Sequence, residues 1–216
     1  MTRSLLAQGL QETLYMVGLS LVLAELGGIP LGIALVITGP NHLWPCSWLN
    51  QILGIIVNVG RSIPFIILLV AIIPLTRLIV GTSIGTAAAM VPLTAAAIPF
   101  VARLVESSLL EVDSGVIEAA QAMGASPRQI IWKVLLPEAL PSLVLGATIT
   151  AVNLIGYSAM AGAVGGGGLG DLAIRYGYQR FRGDIMLATV LVLVLLVQVM
   201  QALGNRLARR LDHRVR

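Results

Sequence analysis

The sequence predicts an all-α integral membrane helical bundle: five transmembrane helices in one domain covering residues 1–216. Three observations carry that prediction. Of the 216 residues, 57% are hydrophobic and 11% charged, with a mean hydropathy of +0.92, whereas a soluble domain carries about 25% charged residues. Five segments, 13–38, 50–74, 84–104, 139–162 and 184–205, supply the roughly 20 apolar residues needed to cross the hydrocarbon. Between the third and fourth lies a polar, helix-prone stretch, 106–138.

Taken in order, the first segment begins like a secretory leader, with Arg3 before the apolar run Leu14–Leu26. The run continues to Val36 without a small-x-small cleavage site, so it reads as an uncleaved first span. The second segment carries Arg61. Pro92 and Pro99 interrupt the third, and Asn153, Tyr157 and Ser158 make the fourth partly polar. Such breaks are tolerated where neighbouring helices re-satisfy the freed carbonyls, which points to helices buried in a bundle. The spacings Gly28/Gly32 and Gly81/Gly85 permit close helix approach, although 23 glycines also produce such spacings by chance.

Five spans place the termini on opposite sides. With the C-terminus go Arg103, Arg128, Lys133 and the tail residues Arg206, Arg209, Arg210, Arg214 and Arg216; with the N-terminus go Arg3, Arg77, Arg175, Arg180 and Arg182. The larger basic set marks the cytoplasmic face. The expectation is therefore an external N-terminus, a cytoplasmic C-terminus and a cytoplasmic 106–138 loop, with the basic tail on anionic lipid.

Several function classes drop out. Stacking aromatics and a soluble basic face are missing, which argues against nucleic acid. Cys46 is the single cysteine, so no intrachain disulfide forms, and His42 and His213 stand in no metal-ligand spacing. There is no G-x-x-x-x-G-K-[ST], and the one lysine, Lys133, follows Trp132. Any ATP and Mg chemistry must then reside on a separate ATPase, and no cofactor is expected on this chain. The run Gly165–Gly170 fits G-x-G-x-x-G formally, but it adjoins a span and no strand precedes it, so it reads as a flexible or tightly packed external loop. An ion-coupled carrier would need an internal repeat, and a membrane enzyme would need a catalytic cluster; neither pattern is present.

Within the polar loop, Ser126, Pro127 and Gln129 form a helix start, with a capping box and proline at the first helical position. Gly124 permits a left-handed turn just before it. The loop thus predicts two short helices, over 114–123 and 127–136. In the first, Val116, Ala119, Ala120 and Met123 fall on one face as a compact apolar ridge, and Glu118 is offset from it. Periodicity alone fits either an amphipathic hairpin lying on the membrane or a docking element for a partner.

The segment Glu118–Pro137, with Glu118-Ala119-Ala120, then Gly124 and the closing Leu136-Pro137, resembles the EAA signature of bacterial ABC-importer permeases. In that family this loop holds the ATPase subunit. Further stretches, Arg61–Leu69, Gly81–Gly85, Val91–Thr94 and Gly156–Gly170, resemble the methionine branch. The resemblance runs from about Glu12 to Arg210. It implies the type I importer fold in a bacterial inner membrane. Two copies of this chain would form the path, two ABC ATPases would sit below it, and a methionine-binding lipoprotein or periplasmic binding protein would deliver L- or D-methionine. The alternative is a same-fold permease for another small solute, such as a polar amino acid or a phosphonate. The coupling residues implied are Glu118, Ala119, Ala120, Met123, Gly124, Ser126 and Pro137.

Inside the membrane, Glu25 and Arg61 stand about a dozen residues into their spans, where an ionisable group is costly unless paired or watered. Either Arg61, with Ser62 beside it, lines or gates the path, or it braces carbonyls freed by Pro64. Glu25 is its candidate ion-pair partner. On the fourth span Asn153, Tyr157 and Met160 fall on one face with Ser158 adjacent. That face either lines the path, offering polar groups to a zwitterion and an adaptable thioether surface, or makes ordinary helix contacts.

Overall fold

A computed structural model describes residues 2–40 and 42–212; His213, Arg214 and Arg216 lie outside the described residues. The chain folds as α1 (Thr2–Ile37), α2 (Ser47–Ser62), α3 (Phe65–Ala71), α4 (Ile73–Val80), α5 (Thr86–Leu110), α6 (Ser114–Ala122), α7 (Pro127–Ile130), α8 (Leu136–Ala163), α9 (Gly168–Leu172) and α10 (Gly183–Leu211). Wider π turns at Ile131–Leu135 and Ala173–Tyr178 join α7 to α8 and follow α9. The described residues contain no strand. Among the described residues, four continuous helical stretches are long and apolar enough to cross a membrane, and α2 with α3 qualifies only as a pair bent by 100°, the geometry of a broken span or a re-entrant loop.

The segment expected as one span, 50–74, is broken at Pro64. Ile63 takes φ −82° and ψ 120°, the extended geometry imposed on a residue preceding proline, and Pro64 has no N–H to continue the ladder. Ser62 Oγ donates to the Asn58 carbonyl at 2.7 Å, occupying one acceptor at the helix end. The third span is the buried helix that its prolines suggest, with no break at either of them. Pro92 and Pro99 are both buried inside α5, and the helix runs on through them. Pro99 is seated where a Cβ on Gly60 would approach it to 3.0 Å.

The core is built on α1 against α5, with Met16, Val17 and Ala24 meeting Leu93, Ala97, Val101 and Val105. Lipid tails are as apolar as these side chains, so close van der Waals packing drives the association more than burial does. Gly28 and Gly32 permit it: a Cβ would come within 2.5 Å of Val101 at the first and 2.6 Å of the Ala102 carbonyl at the second. By contrast Gly81 and Gly85 meet nothing; they shape turns at φ 82° and 99°.

The two ends of the bundle differ. At one end the last turn of α1 meets α6, and Asp212 beyond α10 lies with Glu111 and Glu138. At the other end the start of α1 meets α9 and the start of α10. The two ends of the described chain therefore lie on opposite faces. Exposed Trp44, Trp48 and Trp132 ring the α6 end, and Tyr178 and Phe181 ring the other, as aromatic belts do at the two interfaces.

Candidate functional site

At the α6 end a hairpin of two short helices projects from the bundle. Asp113 caps α6, its Oδ1 accepting from the Gly115 N–H at 2.6 Å. The helix ends in a Schellman motif: the Ala125 N–H donates to the Ala120 carbonyl at 3.0 Å and the Gly124 N–H to the Gln121 carbonyl at 2.9 Å, with Gly124 at φ 79°. α7 opens with the expected capping box. Ser126 Oγ accepts from the Gln129 N–H at 3.4 Å, and Gln129 Oε1 accepts from the Ser126 N–H at 2.8 Å.

The outer face of this hairpin carries Val116, Ala119 and Met123; Met123 is 88% exposed. Ala120 departs from the expected ridge. It is half-buried and packs with Ile117 on the core, because α6 lies against the bundle along that side. Glu118 is exposed and borders a cleft of about 190 Å³ with His42, Leu43, Gln121 and Leu135. Pro137 does not end the loop. It is exposed and sits in the first turn of α8 within an unbroken helical run, Pro127–Ala163. In the π turn the Leu136 N–H reaches back to the Ile131 carbonyl. That wider register absorbs the absent Pro137 N–H without a break.

In the middle of the bundle Tyr157 stacks on Phe65, with centroids 4.6 Å apart and planes 4° from parallel. The pair joins α8 to the segment just past the Pro64 bend. Asn153 and Tyr157 are half-buried, while Gly156 is exposed and Met160 49% exposed, so the predicted face is most open at its Met160 end. Ser158 does not share it: the side chain is buried and Oγ donates to the Ile155 carbonyl at 2.8 Å. Ser62 is exposed but committed to Asn58. Beside this face lies an open apolar surface that includes Ile55, Ile56 and Val59 of α2 and Ile66 and Ile67 of α3.

Glu25 and Arg61 are not brought together. Glu25 faces the cleft between α5 and α8, near Val101, Leu104 and Thr150, and its Oε1 is buried without a hydrogen-bond partner. Arg61 is exposed on α2, next to the Gly60 that packs on Pro99. The Ser62 hydroxyl bonds the Asn58 carbonyl, its own i−4 acceptor within α2, and not the Gly60 carbonyl that Pro64 leaves free.

One structural feature is not legible in the sequence. At the end opposite the hairpin, Glu12 Oε2 accepts from the Gly168 N–H at 2.7 Å, and buried Thr13 Oγ1 accepts from the Leu169 N–H at 2.9 Å. Gln8 Nε2 holds the other Glu12 oxygen at 2.9 Å. The glycine run is a tight seat, since Gly170 lies directly against the Ala159 backbone. This clasp ties the start of α1 to the opening of α9. The only signal available was an acid near the N-terminus and a distant glycine run, with nothing to link them.

The family model described as "Binding-protein-dependent transport system inner membrane component" matches residues 28–216. The chain is 60% identical over 203 residues, 94% of its length and 90% of the relative's, to "Probable D-methionine transport system permease protein MetI" of Vibrio cholerae. It is 56% identical over 158 residues, 73% of both chains, to "D-methionine transport system permease protein MetI" of Escherichia coli. A solved structure described as "Inward facing conformations of the MetNI methionine ABC transporter" superposes with a TM-score of 0.96 at 51% identity, covering 98% of both chains. The fold alone is shared with an amino acid ABC transporter solved with histidines, at a TM-score of 0.80 and 18% identity over 96% and 94% of the two chains.

Proposed function

Because the chain belongs to the family of binding-protein-dependent transport system inner membrane components, we propose that it is the permease subunit through which an ATP-driven importer moves methionine. The observation that carries the coupling half of this reading is the capped α6–α7 hairpin, with Met123, Ala119 and Val116 presented outward at one end of a membrane bundle. The methionine half rests on relatives of 50–60% identity named for that substrate, which disfavours a polar amino acid or a phosphonate.

Two copies of the chain meet, in this reading, across the open apolar surface of α2 and α3, which leaves Asn153, Tyr157, Met160 and Arg61 facing the seam. Asn153 and Tyr157 offer hydrogen bonds to the zwitterion; Met160 offers a polarizable surface to the thioether. Glu118 and the Val116–Ala119–Met123 face dock on an ABC ATPase, which carries ATP and Mg. Closure of the ATPase pair draws the two hairpins together and opens the path outward; hydrolysis resets it. A binding protein delivers substrate at the opposite end, where the Glu12–Thr13 clasp holds α9. The hairpin end is cytoplasmic, so the N-terminus is external and the C-terminus cytoplasmic.

The test is uptake of radiolabelled L- and D-methionine into proteoliposomes holding the chain, its cognate ATPase and its binding protein. ATP- and binding-protein-dependent uptake that disappears in a Glu118→Ala/Gly124→Val variant is expected. An assembled complex that hydrolyses ATP yet accumulates neither isomer would refute the substrate assignment.

A further inference from the structure

A groove of about 730 Å³ runs between α1 and α8, away from the surface proposed for the seam. Its walls are Ile29, Ile33 and Ala34 on one side and Leu140, Val144 and Ala147 on the other. At 100° per residue, the groove side of α8 is turned about 120° from the Asn153–Tyr157–Met160 face, so the groove is no part of the proposed path. Glu25 and Trp132 are the only side chains in its lining with polar atoms, and they stand at its two ends.

The groove has a depth and a polarity. From Glu25 to Ile37 it follows α1 for about 18 Å at 1.5 Å per residue, close to one leaflet of a hydrocarbon core about 30 Å thick. Its shallow end is Trp132, 70% exposed, on the face whose other exposed tryptophans, Trp44 and Trp48, mark the membrane interface. Lys133 follows Trp132 directly and Arg128 stands one turn before it. Both are exposed, and neither takes part in an ion pair among the described residues. The acids Glu111, Glu138 and Asp212 cluster elsewhere, beside Ser142 and Leu145 of α8. The result is a one-leaflet apolar slot with two uncommitted cations and a tryptophan at headgroup level.

We propose that this groove is a phospholipid site that takes the acyl chain of an anionic lipid from the hairpin-side leaflet, with Lys133 and Arg128 holding the headgroup phosphate. The apolar walls receive one chain and the cations select the headgroup. The site places a lipid against the π turn that joins the docking hairpin to α8, so bound lipid stiffens that joint.

The test uses the purified permease–ATPase complex in detergent, titrated with phosphatidylglycerol or phosphatidylethanolamine and read by native mass spectrometry. Preferential retention of phosphatidylglycerol is expected, falling about fivefold for each cation removed in Arg128→Gln and Lys133→Gln. Ala34→Trp, which fills the groove, loses the retained lipid, while Leu187→Trp on the exposed face of α10 keeps it. In the unmodified complex, phosphatidylglycerol carrying a photoreactive acyl chain leaves adducts on 29–37 and 136–147. Equal retention of the two lipids, unchanged retention in Ala34→Trp, or adducts spread evenly over α10 would each overturn the proposal.

Discussion

Thr13→Val isolates a single hydrogen bond at the clasp that closes the bundle opposite the docking hairpin. Thr13 is 1% exposed and Leu169 0%, and the Leu169 N–H, in the first turn of α9, donates to Thr13 Oγ1 at 2.9 Å. The first N–H groups of a helix have no intrahelical acceptor. Valine keeps the branched shape of threonine and removes the hydroxyl, so the packing of Met16 and Gly168 around it persists. What remains is a buried N–H with no partner, a cost of about 1–3 kcal/mol. Since 1.4 kcal/mol is tenfold in an equilibrium, local opening of α9 should rise by about one to two powers of ten. Hydrogen exchange followed by mass spectrometry on the complex in nanodiscs reads that opening in peptides covering 168–172, with α5 peptides as the internal reference. Thr13→Ser, which retains the oxygen, should exchange close to the parent rate. Faster exchange confined to 168–172 is the expected result. If Thr13→Val exchanged there within twofold of the parent, the clasp would not be what holds α9 and the reasoning would fail.

Three further outcomes follow from the geometry. Met123→Glu puts a charge on the most exposed apolar side chain of the hairpin; ATPase binding should weaken by about 2 kcal/mol or more, seen as subunit dissociation on size exclusion, with the melting temperature of the isolated permease unchanged. Glu25→Gln and Arg61→Gln should be energetically independent, because Glu25 faces the cleft between α5 and α8 while Arg61 is exposed on α2; a double-mutant cycle of thermal stability is expected to give a coupling below about 0.5 kcal/mol, and a larger coupling would restore the ion pair. Tyr157→Ala removes the stack on Phe65, worth about 0.5–1.5 kcal/mol beyond area. It should lower uptake per ATP hydrolysed while Tyr157→Phe, which keeps the ring, holds stability near the parent value.

The contrast between Pro64 and the pair Pro92/Pro99 marks where the sequence stops being legible. All three are prolines in apolar runs, yet one breaks a span by 100° and two sit inside an intact helix. Burial is not the whole difference: Pro92 and Pro99 are buried within α5, but exposed Pro30 also sits inside an unbroken α1, and what sets Pro64 apart is the extended Ile63 before it. Local chemistry was readable wherever it was self-contained: the Ser126–Gln129 capping box, the left-handed Gly124 and the Gly28/Gly32 approach surface all depend on residues a turn or two apart. Ala120 was misread because its periodicity is that of the ridge, and only the docking of α6 on the bundle decides which side of the ridge is covered. Ser158 failed for a related reason: its neighbours line the open face, but its own angle on α8 points inward. The Glu12–Gly168 bond spans 156 positions, and no spacing rule reaches that far.

The unbroken run Pro127–Ala163 has a mechanical meaning. Its 37 residues make a rod about 55 Å long, with the capped hairpin at one tip, Tyr157 and Met160 along its shaft and the glycine seat of α9 at the other tip. Moved as one piece, such a rod would act as a lever. If it pivots where α5 and α10 press on its middle, a tilt of about 10° carries each tip about 5 Å in opposite directions. Motion imposed at the hairpin would then arrive at the far tip reversed in sense, opening one mouth of the bundle as it shuts the other.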